Sequence, residues 1–396
     1  MSSPSAAGAR PDDALARPDF ERIALLLQGG GALGSYQAGV YQALAEAGLH
    51  PDWVAGISIG AINSALIAGN PPERRVERLR AFWETVTEPP LGFHPLRGYK
   101  ITDDFVHMMI NQWRSIGTLM WGAPSFFTPR VPPPVFAPLG TPDTLSFYDV
   151  SPVRALLEKL IDFDLINDQK MRFSVGATNI RSGNFVYFDN TTHKIGAQHV
   201  MASGSLPPGF PATEVDGEYY WDGGVVSNTP LQWVLDERPR QDTLAFQVDL
   251  WSARGELPRD MIEVDVRQKD IRFSSRTRAG TDQFRRMQAV RRAAAKLLAD
   301  MPSDVRQSPE AELLAQEADT KVYNIIHTIY RARSYEGSSK DYEFSRRTME
   351  EHWESGYSDM QHTLRHPEVL QRPQSADGVF TFDLAVQGRK SKEAKK

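Results

Sequence analysis

The stretch Trp53-Val54-Ala55-Gly56-Ile57-Ser58-Ile59-Gly60-Ala61-Ile62-Asn63 decides how this chain is read. An apolar run enters it, glycines stand two residues either side of Ser58, and small residues follow: the order of a strand, a sharp turn and a helix. Such a turn lifts a serine hydroxyl clear of its neighbours. It also sets that hydroxyl at a helix N-terminus, where unpaired N–H groups and the helix dipole favour an anionic tetrahedral intermediate. Ser58 is therefore a candidate nucleophile, with Gly56 and Gly60 supporting the turn. The same pattern marks ordinary strand–helix turns, so the case depends on the rest of the chain.

Upstream, Ile23 to Leu27 is a continuous apolar run suited to a strand buried on both faces. It ends in Gln28-Gly29-Gly30-Gly31-Ala32-Leu33-Gly34, and a helix is expected from Ser35 through Ala47, closed by Gly48. Strand, glycine turn, helix, strand, turn and helix within about 50 residues predict a βαβ unit and a parallel sheet. Gly29-x-Gly31-x-x-Gly34 fits a dinucleotide-binding turn and equally a nest of N–H groups for an oxyanion. A dinucleotide site wants an acidic residue at the end of the second strand, where Gly56-Ile57-Ser58 stands instead; a nicotinamide enzyme is the weak alternative.

Downstream, Tyr219-Tyr220-Trp221-Asp222-Gly223-Gly224 brings a carboxylate to a strand end. Asp-Gly is also a strong hairpin signal, so the motif by itself favours structure over catalysis. A serine nucleophile needs a base, and Asp222 is one candidate. His327, His352, His362 and His366 follow it, so a histidine-dependent esterase is formally available, although none is flanked by a turn suited to an active-site loop.

Taken together and in this order, the glycine loop 29–34, the turn 56–60 and Asp222-Gly223-Gly224 resemble the patatin-like phospholipase family. The resemblance covers about residues 22 to 235. It implies a three-layer α/β/α sandwich with a mostly parallel central sheet. It also implies a Ser58–Asp222 dyad without histidine, an oxyanion hole from Gly29, Gly30, Gly31 and Gly34, and support from Gly56, Gly60, Gly223 and Gly224. The implied reaction is hydrolysis of lipid acyl esters, with no cofactor and no metal. Where many members carry a basic residue before the last loop glycine, this chain has Ala32-Leu33. A lipid-binding or scaffolding protein with a vestigial site is the alternative of another class.

Composition agrees with an ordinary globular protein: 396 residues, 41% hydrophobic, 24% charged. A net charge of -5 argues against nucleic acid as a partner, and the absence of cysteine excludes disulfides and zinc-thiolate sites. No apolar run approaches 18 residues and no secretory leader pattern opens the chain, so a cytoplasmic protein, peripheral at most, is expected. The oligomeric state is not legible.

The expected organisation is a disordered tail over 1–20, a catalytic domain over 21–236, a mainly helical extension over 237–388 and a disordered basic tail over 389–396. The extension resembles one found on a bacterial subset of the family, and its first strand can join the catalytic sheet. Residues 113–142 combine aromatics with seven prolines from Pro124 through Pro142; they are expected to be irregular, and to form either a lid or wall of an apolar groove or a loop packed flat over the core. Residues 267–296 hold ten Lys and Arg against two Asp, within an amphipathic pattern running from Phe284 to Met301. That pattern predicts a helix docked on the core, or one meeting an anionic membrane. Helices are also expected from Pro309 to about Tyr335 and from Ser345 to Leu364.

Overall fold

A computed structural model describes residues 15–88, 104–136, 145–274, 277–332, 336–337 and 339–383. The expected tails over 1–14 and 389–396 lie outside these residues, as does 137–142 of the proline-rich loop.

The apolar run at the start forms β1 (Arg22–Leu27), and the glycine loop closes in a 3-10 turn (Gly31–Gly34) that enters α1 (Ser35–Glu46). β2 (Trp53–Ile57) and α2 (Ile59–Ala68) flank Ser58 as expected. Next come α3 (Arg75–Val86), α4 (Asp104–Trp121) and a small ladder of β3 (Thr128–Pro129) with β4 (Tyr148–Asp149). α5 (Ser151–Leu160) and α6 (Phe163–Asn167) lead to β5 (Arg172–Asn179), β6 (Phe185–Asp189) and α7 (Ala197–Ser203). β7 (Thr213–Val215) and β8 (Glu218–Asp222) deliver Asp222, and α8 (Leu231–Leu235) precedes β9 (Thr243–Asp249). The remainder is α9 (Met261–Phe273), α10 (Thr277–Asp300), α11 (Pro309–Glu317), β10 (Tyr323–Ile329), α12 (Arg346–Leu364) and β11 (Val379–Phe382).

Nine strands form one sheet in the order β11-β10-β9-β1-β2-β5-β8-β7, with β6 also on β5; β11 through β5 are mutually parallel. Strand alternation divides the core between two faces. Leu25, Leu27, Phe246 and Val248 point to the side covered by α1, α2, α3, α5 and α12, while Ala24, Leu26, Ala245 and Ile325 meet α8 and α10. The result is a three-layer α/β/α sandwich, as the resemblance implies.

Three expectations need correction. Residues 15–20 are not a loose tail: the Leu15 N–H bonds the Ala47 carbonyl at 3.0 Å, Arg17 pairs with Asp52 and Phe20 is buried. Trp113 to Trp121 is helix, because the prolines begin only at Pro124. The helix expected over Pro309 to Tyr335 stops at Glu317, and its β-branched Ile325, Ile326, Thr328 and Ile329 lie in β10 instead. The extension is mainly helical, as expected, and its first strand, β9, joins the central sheet together with β10 and β11.

Candidate active site

β2 leaves the sheet through Ser58, whose φ of 57° is unusual for a residue with a side chain. A Cβ on Gly56 would approach the Gly60 carbonyl oxygen to 2.2 Å, and one on Gly60 would approach that of Leu27 equally closely, so the tight turn requires both glycines. The Ser58 N–H donates to Ser203 Oγ at 3.0 Å, and that buried hydroxyl donates onward to the Gly176 carbonyl at 2.6 Å.

Strand register brings Asp222 to Ser58. β2 pairs with β5 only as far as Ile57 opposite Gly176, whereas Asp222 of β8 stands opposite Ala177, the next residue along. Ala177 and Thr178 pair with β6 on their other edge, so β8 takes over the edge that β2 vacates. The two strands meet end to end. Asp222 is buried; its Oδ1 accepts the Gly224 N–H at 2.7 Å, while Oδ2 lacks a well-formed hydrogen bond. Burial pushes the carboxyl up to about 7, opposed by interaction with the Ser58 hydroxyl and the Gly224 N–H. Ser58 is thus close enough to influence the carboxylate without being aligned on it, a looseness common in unliganded sites.

Gly29, Gly30 and Gly31 line the same pocket as Ser58, Asp222 and Gly224. Among the described residues the N–H groups of Gly30 and Gly31 meet no acceptor, whereas that of Gly29 reaches the Asn228 carbonyl at 3.4 Å. Gly34 does not line the pocket; it packs on Ile59 and Trp83. Gly223 sits between Gly176 and Ile57, where the two strand ends abut. Among the described residues no histidine lines the pocket, and no group of three His, Asp or Glu side chains could hold a metal.

Several residues around the loop were not legible as functional. The Gly29 carbonyl accepts from Asn228 Nδ2 at 2.9 Å and Trp251 Nε1 at 2.8 Å. Gln28 Oε1 accepts the N–H groups of Leu250 and Trp251. The Asp341 carbonyl accepts the Ala32 N–H at 2.8 Å, and Lys269 holds the Asp341 carboxylate at 3.0 Å. These partners lie about 200 to 300 residues downstream of the loop, and only the Asn two residues before Pro230 carried even a turn signal.

The pocket, about 290 Å³, is walled by Ile59, Ile62, Phe126, Phe127, Phe210 and Phe344. Phe126, Phe127, Phe210 and Phe344 pack edge-on or tilted at centroid distances of 5.3 to 6.0 Å. Within 113–136, then, Leu119, Phe126 and Phe127 form a groove wall.

A three-layer α/β/α protein with a serine elbow facing a buried aspartate and a glycine loop beside them is the class this architecture defines. Residues 25–235 match the family model described as patatin-like phospholipase, and residues 271–376 match one described as patatin phospholipase. The chain belongs to the patatin-like phospholipase family. Over 76 residues, 17% of this chain, it is 41% identical to a patatin-like phospholipase domain-containing protein of Caenorhabditis elegans, and the match spans only 6% of that relative's length. The crystal structure of VipD from Legionella pneumophila covers 94% of this chain, with 74% of its own chain matched, at 16% identity and a TM-score of 0.39.

Proposed function

We propose that this protein is a serine hydrolase of lipid acyl esters, of the phospholipase or lysophospholipase type. Asp222 accepts the Ser58 proton as Oγ attacks the acyl carbonyl, and the N–H groups of Gly30 and Gly31 receive the oxyanion. Collapse expels the alcohol, which takes the proton from Asp222. A water molecule deprotonated by Asp222 then releases the fatty acid and restores Ser58. The observation that carries this reading is the buried, half-satisfied Asp222 carboxylate beside a serine held at positive φ in an apolar pocket. A carboxyl raised to about 7 is suited to proton transfer near neutral pH.

The basic segment 267–296 supports at most an auxiliary contact with anionic lipid. Arg285 and Arg291 pair with Asp377 and Asp236, Lys269 with Asp341, and Arg292 binds the Ala376 and Thr320 carbonyls. Arg286 and Lys296 remain on the exposed face.

Fluorophosphonate labelling and hydrolysis of a short nitrophenyl ester, compared among wild type, Ser58→Ala and Asp222→Asn, test the assignment. Loss of both signals in Ser58→Ala and strong loss in a folded Asp222→Asn are expected. Labelling that survives Ser58→Ala would point to another nucleophile, and a silent wild type to a binding protein.

A further inference from the structure

α4 is amphipathic the wrong way round for a helix packed on a protein. Its polar Asn111 and Ser115 are buried and Arg114 reaches Ser345 at the start of α12, whereas Met109, Trp113, Ile116 and Met120 form an outward stripe at helical spacing. Trp113 is 68% exposed, Met120 64% and the adjoining Trp121 69%. The stripe continues past the helix: Val131, Val135 and Phe136 on one side, Leu145 and Phe147 on the other, are all exposed. These segments are hydrogen-bonded into one rim. Tyr148 OH donates to the Leu119 carbonyl at 2.8 Å, the Arg130 N–H to that of Phe147 at 3.0 Å, and the Phe147 N–H to that of Pro208 at 3.2 Å. Leu119, Tyr148 and Pro208 line the Ser58 pocket, so the exposed apolar surface is the lip of that pocket.

We propose that this rim, α4 with 131–136 and 145–147, docks on the surface of a phospholipid bilayer and presents the pocket mouth to it. The proposal rests on the lipid-hydrolase reading, which makes an insoluble ester the substrate. Charge favours a bilayer over a second copy of the chain. Residues 109–136, 145–148 and 204–211 contain two arginines and no carboxylate, in a chain with 50 Asp and Glu. A second copy would offer Arg130 no carboxylate, whereas every phospholipid offers a phosphate; since Arg114 turns inward to Ser345, apolar burial carries the docking. A contiguous apolar rim with two tryptophans matches the chemistry of the headgroup–acyl boundary. α10 cannot serve the same docking. Its Arg285 and Arg292 hold Asp377 and Thr320, at the N-terminal ends of β11 and β10, while Ser58 leaves the C-terminal end of the parallel β2.

The test uses full-length Ser58→Ala protein and phosphatidylcholine vesicles, with two variant pairs, Trp113→Asp/Met120→Asp and Val135→Asp/Phe136→Asp, each checked for an unchanged melting temperature. Sedimentation should show binding that is equal at about 0.15 M and about 1 M salt. Each pair should weaken it by about tenfold or more. With Ser58 intact, both pairs should hydrolyse a soluble nitrophenyl ester as wild type does and lose activity on vesicles. Absence of vesicle binding, binding that neither pair weakens, or binding confined to anionic vesicles at low salt would overturn the proposal. So would a concentration-dependent dimer dissolved by both pairs. A wild type that binds vesicles but leaves the soluble ester intact would instead sink the hydrolase reading alone.

Discussion

Ser58 and Asp222 both sit in environments that cost stability. At φ 57° and ψ -123° the Ser58 backbone occupies a region nearly reserved for glycine, with a cost of about 1–3 kcal/mol. Ser58→Gly should therefore melt higher than Ser58→Ala, by about 1 kcal/mol or more, with both inactive; equal melting would mean that the turn is unstrained. Asp222 binds its proton more tightly folded, at about 7, than unfolded, near 3.8. Between those values the folded state carries more protons, so this group makes stability fall as pH rises, with the penalty complete above about 7. Asp222→Asn retains an acceptor for Gly224 and removes the charge. It should be inactive yet more stable than wild type at pH 8, by up to about 4 kcal/mol, with the advantage fading toward pH 4. The same carboxyl must be ionised to act as base, so wild-type kcat/KM should rise through a single limb centred near 7. A flat profile across pH 6–8 would remove Asp222 from that role. The motif residues were readable because turn geometry imposes its demands locally. The proton affinity of Asp222 was not, since it follows from burial among residues distant in the chain.

Among elements, the glycine loop 29–34 is held from the far end of the sequence. A Cβ on Gly31, itself at φ 56°, would come within 2.1 Å of the Asp341 carbonyl oxygen, so the loop and segment 339–344 fit backbone to backbone. Lys269 of α9 fixes Asp341, and Lys340 pairs with Asp270 of α9 at 2.7 Å while lying over the Trp251 ring. Lys269→Met should loosen this brace and lower kcat on a soluble ester by about tenfold, with KM little changed and Lys269→Arg largely restoring it. An equal loss in the arginine variant, or a change confined to KM, would argue against positioning. Behind the loop, α1 and α12 pack closely, since a Cβ on Gly356 would meet the Tyr36 carbonyl oxygen at 2.0 Å. Gly356→Ala should destabilise the fold by about 2 kcal/mol or more, read as a fall in urea midpoint. Helical spacing indicated α12 in the sequence. Its partner did not show, because any amphipathic face can be buried against any other.

One central sheet runs through both regions that match family models: β9, which lies between the two, pairs with β1 of the first and β10 of the second. β1, which leads into the glycine loop, pairs with β2 on one side and with β9 on the other. A chain cut after residue 236 would expose the β1 edge and remove Trp251, Lys269 and Asp341 from the loop. Expressed alone, residues 1–236 should be insoluble or lack cooperative unfolding, while a cut after residue 383 should leave activity intact. A soluble, active 1–236 fragment would show that the catalytic region folds alone. No helix among the described residues is long and apolar enough to cross a membrane.

The amino-acid sequence alone determined the βαβ start with its parallel sheet, the elbow at Ser58 and the Asp-Gly-Gly turn, because hydrophobic period and glycine placement act over a few residues, while the three-layer sandwich followed from the family resemblance those motifs carry. Tertiary structure alone decided the rest. The abutment of β2 and β8 along β5 sets Asp222 beside Ser58, and segment 339–344 closes on the glycine loop. The polar face of α4 turns inward and leaves its apolar stripe on the rim of the pocket. Each of these depends on which surface a segment finds to pack against, and contacts between residues up to about 300 positions apart leave no period in a sequence read locally.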